Sequence, residues 1–189
     1  MVNFYTVTKE IGGKEIKAQF NGIGAGAKAI DDSYIEGSSN TSLEKLSKYI
    51  FENVIVEPKM DIKDFGADKI GTETEKKIGG KKYVAKFDGL LTAMRAVDTT
   101  YIEGSDNTSI EKFSKFLFEK IIVSPEKLTM DDFETMEEFN EVVSFAREVM
   151  YGGDLWKEFN EIVNFGKGVM QGNFRDEKDS VSTGTGSKK

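Results

Sequence analysis

Tyr34-Ile-Glu-Gly-Ser-Ser-Asn-Thr-Ser-Leu-Glu-Lys45 and Tyr101-Ile-Glu-Gly-Ser-Asp-Asn-Thr-Ser-Ile-Glu-Lys112 are two copies of one segment, offset by about 67 residues. The copy extends in both directions from this pair. Upstream, Ile11-Gly-Gly-Lys14 recurs as Ile78-Gly-Gly-Lys81; downstream, Val54-Ile-Val-Glu-Pro58 recurs as Ile121-Ile-Val-Ser-Pro125. One added residue after the proline then brings Asp64-Phe65 onto Asp132-Phe133. The chain is therefore an internal duplication, and the fold of one unit predicts the fold of the other.

A second repeat, offset by about 20 residues, follows the long one. Glu138-Phe-Asn-Glu-Val-Val143 recurs as Glu158-Phe-Asn-Glu-Ile-Val163, and Val149-Met150 as Val169-Met170. After Phe174 the sequence becomes small and polar, which predicts a disordered tail over 175–189. The expected organisation is a first unit over 1–67, a second over 68–135, a C-terminal helical repeat over 136–174, and the tail.

Local signals define each unit. Gly12-Gly13 and Gly79-Gly80 lie between short segments, the pattern of a two-residue hairpin turn that needs positive φ. Helical spacing of Met94, Val97 and Tyr101 predicts a helix from Thr92 to Tyr101, with a counterpart from Ala25 to Tyr34. The next helix is expected to start at Thr41 and Thr108, each followed three residues later by a glutamate, Glu44 and Glu111, as in a capping box. Leu43, Leu46, Ile50 and Phe51 form its apolar stripe in the first copy, and Ile110, Phe113, Leu117 and Phe118 in the second. The apolar runs at Val54–Val56 and Ile121–Val123 fit either a helix end or a brief strand, closed by Pro58 and Pro125. Phe139, Val142, Val143, Ala146, Val149 and Met150 predict an amphipathic helix that the 20-residue repeat copies. The expected class is α+β, mainly α: two tandem units, each a short hairpin with two helices, followed by amphipathic helices.

Composition narrows function. The chain has 189 residues and neither cysteine nor histidine, so disulfides, thiolate chemistry, the usual zinc ligands and the usual general base are all missing. Neither repeat holds a nucleophile-base constellation, which argues against an enzyme, and no cofactor or metal is expected. With 33 acidic and 26 basic residues, the net charge of -7 disfavours nucleic acid and anionic membranes. The N-terminus has no basic-then-apolar leader and no run reaches the length of a membrane span, so a cytoplasmic protein is expected. Asn40 and Asn107 open Asn-Thr-Ser sequons, which read as turn residues in that setting.

Three local patterns invite sharper readings. Gly22-Ile-Gly-Ala-Gly26 resembles a phosphate loop, but its spacing is not that of such a loop and the second copy lacks it, so a flexible turn accounts for it better. Asp131-Asp132 with Glu134, Glu137 and Glu138 lacks the calcium-loop pattern and suits the start of a helix. The last copied helix carries Trp156, Phe159, Ile162, Val163, Phe165 and Met170 beside glycines, more apolar surface than a small protein readily buries, and is the candidate partner-binding surface.

Residues Ile121-Ile-Val-Ser-Pro-Glu-Lys-Leu-Thr-Met-Asp-Asp-Phe133, Met136-Glu-Glu-Phe-Asn-Glu-Val-Val-Ser-Phe-Ala146 and Val169-Met-Gln-Gly-Asn-Phe174 resemble phage tail assembly chaperones of long-tailed phages of Gram-positive hosts. The resemblance covers residues 78–175. It implies a helical protein of the host cytoplasm that binds the tape measure protein, keeps it soluble and helps recruit tail tube subunits. Two long units and a doubled final helix depart from the usual single-unit form. The rivals are a phage-encoded inhibitor of a host defence protein and a structural tail component. The two units either pair within the chain, as a pseudo-twofold, or act as separate beads, and a homo-oligomer is compatible with both.

Overall fold

The computed structural model describes residues 4–174, so the expected tail over 175–189 lies outside the described residues. Strands β1 (Tyr5–Ile11) and β2 (Lys14–Phe20) form an antiparallel hairpin in which Ile11 pairs with Lys14. Its turn uses Gly12 at φ 59° and Gly13 at φ 74°, values that side chains other than glycine rarely adopt. Helices α1 (Ile23–Asp32) and α2 (Leu43–Tyr49) follow, α2 running on into a π-turn over Ile50–Val54. The apolar run then becomes strand β3 (Ile55–Glu57), which pairs with β2 and gives the sheet order β1-β2-β3.

The second unit repeats this element by element. Strands β4 (Glu73–Ile78) and β5 (Lys81–Lys86), helices α3 (Leu90–Thr99) and α4 (Ile110–Lys120), and strand β6 (Ile122–Ser124) build a sheet of order β4-β5-β6. Even the register irregularity recurs, between Lys17 and Ala18 on β2 and between Val84 and Ala85 on β5. The duplication and the α+β, mainly helical class thus hold in three dimensions, with the ambiguous apolar runs resolved as third strands. Among the described residues no helix is long and apolar enough to cross a membrane.

Helix starts differ from the sequence expectation. Ser42 and Ser109, one residue later than expected, cap α2 and α4: their hydroxyls accept the Lys45 and Lys112 backbone N–H groups at 3.1 and 3.2 Å. Thr41 and Thr108 are instead tied in β-bridges to Tyr34 and Tyr101, so the extended backbone cannot turn until the serine. Helices α1 and α3 start earlier than expected because Gly22 and Gly89, at φ 95° and 88°, allow the chain to turn sharply there.

The C-terminal repeat over 136–174 forms two helices, α5 (Met136–Tyr151) and α6 (Asp154–Met170), each packed on a different unit. Two amphipathic helices bury little against each other alone, and here each is used to cover a sheet. Helix α5 packs on β4, β5, α3 and α4, whereas α6 packs on β1, β2, α1 and the π-turn after α2. The two cores follow this division: Phe139, Val142, Phe145 and Met150 join the second, and Phe159, Ile162, Val163 and Val169 join the first. The order along the chain is therefore nested: unit one, unit two, the helix covering unit two, the helix covering unit one.

Candidate protein-binding site at the seam between units

Five of the six residues expected to form a partner-binding surface are interior. Phe159, Ile162, Val163, Phe165 and Met170 are buried in the first core, and Trp156 is half-buried where the two cores meet. Phe159 stacks with Phe51 and Trp156 and meets Phe65 edge-on, closing the space that a partner would need. This corrects the sequence reading. The apolar face that looked surplus belongs to a unit more than a hundred residues upstream, whose sheet has no cover of its own.

The glycine-rich stretch has a packing role. A Cβ on Gly26 would lie 2.6 Å from the Met170 carbonyl oxygen, so the missing side chain is what lets α1 lie against the end of α6. Gly166 on α6 similarly gives room to Ile50. Acidic Asp132 accepts hydrogen bonds from the Thr129 hydroxyl and backbone N–H at the turn before α5, and these bonds hold its carboxyl below the usual carboxylate range. Among the described residues, no cluster of three or more aspartates or glutamates has a geometry that would hold a metal ion.

The surface feature that spans both units is the seam where α3 of the second unit crosses α2 of the first. The Asp98 carboxylate accepts the Ser42 hydroxyl at 2.6 Å and the Leu43 and Glu44 backbone N–H groups at 2.8 and 3.1 Å. A negative side chain from one unit thus satisfies the unpaired donors at the start of a helix in the other. Beside it, Arg95 Nε and Nη2 each donate to Glu44 at 3.0 Å, a two-pronged pair that raises the arginine pKa further through the hydrogen bonds and the carboxylate charge. Leu90 and Met94, on the same helix, are buried in the core of the first unit. The connecting loops also meet: Gly104 N–H donates to Gly37 O at 3.1 Å, and the Ser39 hydroxyl to Asp106. Sequence reasoning left these contacts unidentified, because each partner reads alone as an ordinary helix-surface charge.

A cleft of about 400 Å³ opens along this seam. Phe51, Met60, Ile62 and Leu91 supply its apolar lining, and Glu44, Glu52, Asp61, Lys48, Lys63 and Arg95 line it with charges of both signs. The volume lies in the range of ordinary ligand and side-chain pockets. An apolar lining with a rim of both charges suits the apolar face of an amphipathic helix, whose flanking side chains would meet the rim. Searches against family models, curated proteins and solved structures yield no match to this chain.

Proposed function

We propose that this chain is a protein-binding assembly chaperone of phage tails, acting in the host cytoplasm, which receives helical segments of the tape measure protein and helps bring tail tube subunits to them. The observation that carries the reading is the seam cleft, with Met60 and Leu91 half-exposed above buried Phe51 and Ile62 and charges of both signs at the rim. An apolar helix bound there would be shielded from aggregation while its polar face stayed in water. The acidic surface and the resemblance of residues 78–175 to tail assembly chaperones point the same way.

Co-expression with helical fragments of the tape measure protein tests the proposal. Light scattering should show a complex of defined mass with the unaltered chain, and Met60→Asp combined with Leu91→Asp should abolish it, whereas Met136→Asp, at the exposed start of α5 and outside the cleft lining, should not. A complex that survives the cleft substitutions, or no complex with a folded chain, would contradict it. Removing residues 154–174 is a poor control, since it would strip the cover from the first core.

A further inference from the structure

We infer that copies of this chain associate head to tail, α4 of one copy docking on α1 of the next, by repeating the contact that joins the two units within the chain. The internal seam is not a twofold. If it were, Asp31 would cap α4 as Asp98 caps α2, and Lys28 would meet Glu111 as Arg95 meets Glu44. Neither contact is present among the described residues: Asp31 and Glu111 are exposed, and Lys28 pairs within its own helix with Asp32 at 2.6 Å. The contact joins two different faces, and a heterologous contact of this kind leaves one unused copy of each face at opposite ends.

Both unused faces keep the charges of the used ones. On α4, Ser109, Ile110 and Glu111 stand where Ser42, Leu43 and Glu44 stand on α2; on α1, Ile23, Lys28 and Asp31 stand where Leu90, Arg95 and Asp98 stand on α3. Every charge retains its sign. Where the seam is made, Leu90 is 1% exposed; where it is not, Ile23 is 61% and Ile110 70% exposed. The backbone N–H groups of Ile110 and Glu111, whose counterparts are taken by Asp98, meet no acceptor among the described residues. Gly24 and Ala27 replace Leu91 and Met94 on the free α1 face, so the contact between copies buries less apolar surface than the internal one and is correspondingly weaker and reversible.

The occupant is therefore a second copy of this chain, presenting α1 to α4, and addition can continue because each new copy brings a fresh face. Lys28 exchanges Asp32 for Glu111 of the neighbour, and Asp31 meets the start of the neighbour's α4.

Sedimentation of the full chain at rising concentration, up to about 1 mM so that weak association registers, tests this. The weight-average mass should climb past that of a dimer. Ile110→Asp on one face and Asp31→Lys on the other should each yield a monomer with an unchanged circular dichroism spectrum. Mixing the two variants should restore a dimer and stop there, since each keeps one intact face. A chain monomeric throughout, association that survives either substitution, growth of the mixture beyond a dimer, or its failure to pair, would each overturn the proposal.

Discussion

Glu158, at the second turn of the final helix, sits 3.1 Å from Lys14 Nζ at the first hairpin, 144 residues away in sequence. The equivalent contact in the second unit joins Glu138 to Lys81 at 3.3 Å. Each glutamate also lies over a hairpin glycine, Gly12 or Gly79, where a Cβ would crowd its side chain. The two long repeats and the two short repeats are thus matched in reversed order, and the last helix returns across the whole chain to complete the first unit.

That nesting predicts separable losses. Phe159→Ala and Phe139→Ala occupy equivalent positions, and each should lower stability by about 3–5 kcal/mol, the usual cost of emptying a buried phenylalanine site. Amide hydrogen exchange should show Phe159→Ala acting chiefly on β1 and β2 and Phe139→Ala chiefly on β4 and β5. Equal loosening of both sheets by both variants would contradict the assignment of helices to units.

Asp98→Ala removes a carboxylate that three donors of the other unit share. Its loss should cost about 1–2 kcal/mol in denaturant unfolding, as for other helix caps. Asp31→Ala, at the repeat-related but exposed position, should change stability by less than about 0.5 kcal/mol. Equal effects would mean that the seam contributes nothing.

Two nearby glycines of α1 should respond with opposite sign. Gly24 has open space where a Cβ would go, so Gly24→Ala should raise stability by about 0.5–1 kcal/mol through improved helix propensity. Gly26→Ala would drive a methyl into the Met170 carbonyl and should lower it by about 1–3 kcal/mol. Thermal midpoints of the two variants check both signs.

Tyr83 is buried and its hydroxyl donates to Glu138 Oε1 at 2.9 Å; burial first, and then this hydrogen bond, push its pKa up from 10.0 to about 12. The unfolded chain releases this proton near pH 10 while the folded chain holds it, so the contribution of Tyr83 is intact below pH 10 and declines as the pH rises toward 12. The slope should be on the order of 1 kcal/mol per pH unit across that window. Denaturation of the wild type and Tyr83→Phe at matched alkaline pH should show the decline flattened in the variant; identical pH profiles would contradict it.

Much of this architecture was legible in the sequence, and what escaped has a physical cause. Gly-Gly pairs and helical periodicity mark the hairpins and helices because they depend on local backbone preferences. The partner of an amphipathic helix is set by packing at long range, so the face of Phe159, Ile162 and Val163 looked surplus when its sheet lay far upstream. Thr41 and Ser42 are both good caps, and only the bridge between Thr41 and Tyr34 decides between them. The seam left a trace in differences between the copies: Leu91 and Met94 on α3 are large where Gly24 and Ala27 on α1 are small. Asp31 and Lys28, which keep the signs of Asp98 and Arg95, were the remaining clue.

Methyl NMR of the full chain, with a helical tape measure peptide added stepwise, addresses the proposed cleft most directly. The methyl signals of Met60, Ile62 and Leu91 should move together and saturate, while those of Ile162, Val163 and Met170 inside the first core stay in place. Shifts centred on the final helix, or no shifts at saturating peptide, would contradict a protein-binding role for the seam.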